Sequence, residues 1–125
     1  MSTETAEIVA AIGRLLLGGL FVHGGIHHFR TFTPIAGAMS ARGVPFPRAT
    51  LAIGSLFQII CGALFIFGVY VTWAALGLVV FTIAASAMLV NFWDMTGDAR
   101  ASALQSFYAN LAIIGGLLIA AATAS

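Results

Sequence analysis

The chain has 125 residues, 61% of them hydrophobic and only 7% charged, with a mean hydropathy of +1.07. That is too little charge to cover a water-soluble globule, so the composition points to a membrane. A net charge of +1 with no lysine argues against nucleic acid as a partner, and a single cysteine, Cys61, excludes an intrachain disulfide or a Cys-x-x-Cys redox pair.

From Thr3 to Ile8 the chain is polar, and Glu4 and Glu7 suit the first turn of a helix, where the positive end of the dipole favours carboxylates. The apolar run that follows is about as long as a full span and is preceded by acidic rather than basic residues. It therefore lacks the pattern of a cleavable signal peptide and is expected to be retained. This first span is predicted over about 6–29. Its glycines, Gly13, Gly18, Gly19, Gly24 and Gly25, suit close helix approach in lipid, and a central position in the bundle is expected for it.

In the connection from Arg30 to Arg48, Thr33 followed by Pro34 reads as an N-cap with proline at the first helical position, and Gly43 as a stop. A short interfacial helix of about nine residues is predicted there. Val44-Pro45-Phe46-Pro47 forms an extended turn, because a residue before proline is pushed out of the helical region. Residues 49–93 then contain no Asp, Glu, Lys or Arg. One span needs about 20 residues, so this run holds two, about 48–67 and 72–93, joined at Gly68-Val69-Tyr70-Val71. Asp94 to Ala101 is read as the third connection, and Ser102 with Gln105 as a capping box before a fourth span over about 102–123.

The predicted fold is an all-α transmembrane four-helix bundle, a single domain over 1–125, with the short interfacial helix between helices 1 and 2. Tyr70 and Trp73 mark one interface; Trp93, Tyr108, Phe32 and Phe46 mark the other. Arg30, Arg42, Arg48 and Arg100 fall in the first and third connections. The positive-inside rule puts those connections in the cytoplasm and both termini outside.

The residues with chemistry gather in the first span. At 100° per residue His23 and His27 share one face, whereas Arg14, Gly18, Phe21, Gly25 and His28 lie roughly on the other. His27, His28 and Arg30 are read as interfacial polar residues. His23 lies deeper and needs a partner, and Arg14 is a charge within an apolar run that either snorkels or binds a polar ligand. Gln58 and Cys61 face similar directions on the second span. Its amide, like that of Asn110 on the fourth, suits an interhelical hydrogen bond. Gly18, Gly25, Asn110, Ala112 and Gly116 are assigned to helix packing, the last two with Ala120 as a small-residue stripe. The other spans have no histidine to complete a bis-histidine haem site, and a lone Met39 or Met88 is ordinary packing. His23 and His27 lack a third ligand, so no metal site is assigned and no intrinsic cofactor is expected.

Arg14-Leu-Leu-Leu-Gly18 through Phe21, the Gly24 to Phe29 end of the first span, Pro45 and Pro47, the Gly62 to Gly68 segment and Asn110-Leu-Ala-Ile-Ile-Gly-Gly together resemble the DoxX family of small four-helix membrane proteins. The resemblance covers nearly the whole chain, and its glycine, proline and apolar motifs speak to fold more than to activity. It implies a prokaryotic cytoplasmic membrane, and a grouping that includes the membrane subunit of a thiosulfate:quinone oxidoreductase. Two departures stand out. Gln58 occupies a place where many relatives carry glutamate, and the His27-His28 region replaces a lysine often found near the end of the first span.

Two functions lead this reading, with a channel or carrier a third that would need oligomerisation, since a single four-helix bundle leaves little room for a pore. One is the membrane subunit of a quinone-linked redox complex, with Arg14, His23 and Gln58 as candidate headgroup donors and a partner subunit supplying the redox centre. The other is a non-catalytic accessory or scaffold subunit docking by its small-residue faces, with other membrane or peripheral subunits or further copies of itself as partners. Lacking cysteine pairs, haem ligands and nucleotide motifs, the chain is not expected to be a complete enzyme alone.

Overall fold

The computed structural model describes residues 1–89, 93 and 95–124. Five helices follow in order: α1 (Thr3–Arg30), α2 (Phe32–Ala41), α3 (Pro47–Phe67), α4 (Val71–Leu89) and α5 (Gly97–Thr123). Among the described residues there is no strand. Four helices, all but α2, are long and apolar enough to cross a membrane. The protein is an all-α polytopic membrane protein that sits in the lipid bilayer.

The boundaries follow local chemistry. Ser2 caps α1, its hydroxyl accepting from the Thr5 amide at 3.1 Å. Gly68 ends α3 in the left-handed region (φ 74°), and the Val69 amide reaches back to the Leu64 carbonyl at 2.9 Å, the double-back pattern that satisfies terminal carbonyls. Tyr70, also left-handed at φ 50°, completes the reversal into α4.

Two starts differ from expectation. The short helix begins at Phe32 after Thr31, whose hydroxyl donates to the His27 carbonyl instead of capping forward, so Pro34 lies inside the first turn and not at its first position. α5 begins at Gly97 with Thr96 as N-cap, so Ser102 and Gln105 lie within the helix and form no capping box. The Gly97 and Asp98 pair starts the helix before the predicted signal is reached. Asp94, the expected start of the third connection, lies outside the described residues, as do 90–92 at the expected end of the third span.

The helices pack as a row, α1 on α3, α3 on α4 and α4 on α5, while α1 and α5 barely touch. α1 is therefore peripheral, contrary to the central position its glycines suggest, and α3 and α4 form the middle. The reason lies in how those glycines are used. A Cβ at Gly18 would stand 2.6 Å from Ile66 Cγ1 and 2.9 Å from the Gly62 carbonyl oxygen, and one at Gly25 would stand 2.5 Å from Ile59 Cγ1. Gly13 and Gly19 meet nothing within 4 Å. Only one face of α1 is used for close approach, and that face is given to α3.

The main core joins Phe21, Cys61, Phe65, Ala75, Leu78 and Leu117, with Phe21 and Phe81 edge to face at 6.4 Å. A second cluster, Ala36, Met39 and Leu51, fastens α2 beneath α3. Polar ties cross between helices: Asn110 donates to the Ser86 hydroxyl at 2.9 Å, and Thr72 to the Ala121 carbonyl at 2.9 Å. The termini and the α3–α4 turn share one end of the molecule; α2, Arg30, Arg42, Arg48 and Arg100 share the other.

Candidate functional site

The close approach at Gly25 brings the end of α1 against α3, with the Ser55 carbonyl oxygen only 3.0 Å from where a Cβ on Gly25 would be. One turn further, His28 Nδ1 and Ser55 Oγ share a 3.0 Å hydrogen bond. Ser55 is fully buried and His28 half-buried. This pair stands on the wall of a cavity of about 540 Å³ between α2, α3 and α4. Met39, Leu51, Ile53, Phe81 and Met88 make it apolar, and Phe46, left-handed at φ 47° and 82% exposed, lies at its rim. Among the described residues its polar lining groups are His28, Ser55 and Thr50, and the Thr50 hydroxyl is committed to the Pro45 carbonyl at 3.0 Å. An apolar chamber with one imidazole–hydroxyl pair suits a hydrophobic molecule bearing a single hydrogen-bonding head.

The three candidate headgroup donors do not converge. His23 is exposed on the outer face of α1, parallel to His27 with ring centroids 6.5 Å apart. Gln58 is 5% exposed and wedged against Gly24, whose added Cβ would stand 2.7 Å from the amide nitrogen; its Oε1 is buried with no hydrogen-bond partner. Arg14 lies nine residues from His23, about 13 Å along the helix at 1.5 Å per residue. It lines a separate cavity of about 280 Å³ at the terminal end, between α1 and α5.

Of the interfacial set, His27 and Arg30 are exposed, while His28 turns inward to Ser55. Gly18 and Gly25 make the α1–α3 contact, Asn110 ties α5 to α4, and Gly116 lies 3.4 Å, measured from an added Cβ, from Leu17. Ala112 is exposed, so the α5 stripe meets α1 only at its later positions. Sequence reasoning missed Ser55, whose signal was available: it shares a face with Gln58, three residues on, in a span otherwise apolar. The contributions of Met39 and Phe46 depend on α2 folding back and could not be read from spacing.

Four spanning helices with a lateral apolar cavity at one end define a small multi-pass membrane protein. The chain belongs to the DoxX family, whose model matches residues 9–91. It is similar to the inner membrane protein YphA of Escherichia coli (strain K12), 24% identical over 116 residues, which covers 93% of this chain and 83% of that protein. No solved structure matches.

Proposed function

We propose that the protein is the membrane subunit of a quinone-linked redox complex of the bacterial inner membrane, and that the quinone headgroup docks at His28 and Ser55. The observation that carries this reading is the cavity of about 540 Å³, whose described lining is apolar except for that pair and Thr50. A quinone carbonyl accepts a hydrogen bond; of the imidazole N–H and the serine O–H, one is committed to the bond between His28 and Ser55 and the other is left to donate to the headgroup, while the apolar walls suit the ring and the first isoprenoid units. The chain's own part in the chemistry is to bind and orient the headgroup and to exclude water from it, while electrons come from a partner subunit. Arg14, His23 and Gln58, the donors expected from sequence, take no part in this version of the site.

The test is equilibrium binding of a short-chain benzoquinone and a naphthoquinone analogue to the purified protein in detergent. Binding should weaken about tenfold in His28→Ala and in Ser55→Ala, the loss of roughly one hydrogen bond of about 1.4 kcal/mol, and should be unchanged in His23→Ala. Quinone binding that is absent, or indifferent to both cavity substitutions, would refute the reading. An accessory role is the second reading, favoured by the largely lipid-exposed faces of α1 and α5, where only 11% of each apolar window is buried. Bulky replacements at outward positions would then disrupt complex assembly while His28→Ala would not.

A further inference from the structure

We infer that the crevice between α1 and α5 is a binding site for an anionic phospholipid, with Arg14 as the counterion of its phosphate. Arg14 is the one charge inside the apolar stretch of α1 between Glu7 and Arg30. Its Nε is buried and has no hydrogen-bond partner, and among the described residues no carboxylate forms an ion pair with it. A guanidinium at such a position is costly unless it finds an anion or reaches the interface.

The surroundings say which anion. The cavity of about 280 Å³ that Arg14 lines is walled by Ala10, Leu17, Val71, Ile119 and Ala120, with Thr123 the one hydroxyl among the described lining residues. Ile119 is also 67% exposed on the outside of α5, so the wall runs without a polar break onto the lipid-facing surface. Free phosphate gains nothing from such walls, whereas an acyl chain buries itself against them. Depth agrees. A Cβ on Gly68 would stand 3.5 Å from Arg14 Nη2, which puts the guanidinium level with the end of α3. The 21 residues of α3 rise about 31 Å, close to the hydrocarbon thickness of about 30 Å, so that end meets the headgroup boundary. Tyr70 and Trp73, 73% and 74% exposed, stand at the same end as an aromatic belt would. The planar guanidinium then offers paired N–H groups to two phosphate oxygens while the acyl chain descends between α1 and α5. This site is independent of the His28 cavity, which lies at the opposite end of the bundle.

Native mass spectrometry of the full-length protein, released from a neutral detergent with dioleoylphosphatidylglycerol, dioleoylphosphatidylcholine or inorganic phosphate, tests it. The wild type should hold one phosphatidylglycerol under conditions that strip phosphatidylcholine, and millimolar inorganic phosphate should not displace it. Arg14→Gln should lower retention about tenfold, the scale of one charge-assisted hydrogen bond. Gly13→Leu keeps the arginine and starts a larger side chain from a cavity-lining position where a Cβ meets nothing within 4 Å, so it should occupy the crevice and lower retention similarly. Lipid retention that survives both substitutions overturns the site, as does equal retention of the two phospholipids. Displacement by inorganic phosphate would mean a free-anion site and overturn the lipid assignment. Should Arg14→Gln misfold, Gly13→Leu decides alone.

Discussion

The α1–α3 contact can be measured with two substitutions one residue apart. In Gly18→Ala the new methyl would stand 2.6 Å from Ile66 Cγ1 and 2.9 Å from the Gly62 carbonyl oxygen. The isoleucine can swing aside, but the carbonyl belongs to the α3 backbone and cannot, so the helices must part. Overpacking of this kind costs about 1–3 kcal/mol. In Gly19→Ala the methyl meets nothing within 4 Å. Both changes gain about 0.5–1 kcal/mol of backbone restriction from replacing a helical glycine, a term that cancels in the comparison. Gly18→Ala should therefore be less stable than Gly19→Ala by about 1–3 kcal/mol, and Gly19→Ala should equal or exceed the wild type. The assay is unfolding in mixed micelles of rising sodium dodecyl sulfate content, followed by helical circular dichroism and by the fluorescence of Trp73 and Trp93. Equal stability of the two variants would refute the claim that Gly18 is what holds α1 to α3.

Further outcomes follow from the polar ties and the topology. Asn110→Ala removes the donor to buried Ser86 and should cost about 0.6–1.7 kcal/mol in the same assay; a double-mutant cycle with Ser86→Ala should return a coupling of that size, and zero coupling would remove the bond from the account. Gln58→Met replaces a buried amide oxygen that has no partner with an apolar chain of similar length, and should leave stability unchanged or raise it by about 1–3 kcal/mol; a clear loss would mean that the amide has an essential partner. The concentration of Arg30, Arg42, Arg48 and Arg100 at one end predicts termini on the outer side, so a C-terminal reporter active only in the periplasm should report, and a cytoplasmic signal would reverse the orientation.

The spans were legible because lipid imposes a simple rule: an uninterrupted apolar run of sufficient length must be helical. The turn at Gly68 was legible for a related reason, since a left-handed stop needs a residue without a Cβ. What could not be read was which face of each helix meets which neighbour. Periodicity separated His23 and His27 from Arg14 and His28, yet an apolar environment on every side gives no amphipathic stripe to say which set points inward. His28 therefore read as interfacial, although the approach of α1 to α3 at Gly25 draws it onto Ser55. The start of α5 was misread for a different reason: Ser102 and Gln105 have the spacing of a capping box but lie in the interior of a helix already begun at Gly97.

The pairing of Gly18 with Gly62 and of Arg14 with Gly68 offsets α1 along α3. Residues 3–13, about 16 Å of helix, consequently run past the end of α3, and Ile8, Val9 and Ile12 on that overhang are exposed. A bilayer whose surface meets Gly68 leaves these three at headgroup level, while one thick enough to cover them submerges Gly68. The two helices cannot slide to resolve this, because their glycine contacts fix the register. Either the molecule leans toward α1 or the leaflet swells beside it, at a fraction of a kcal/mol per Å of mismatch. Membrane thickness thus acts on this protein through the α1 overhang, and sets how deep the guanidinium of Arg14 lies.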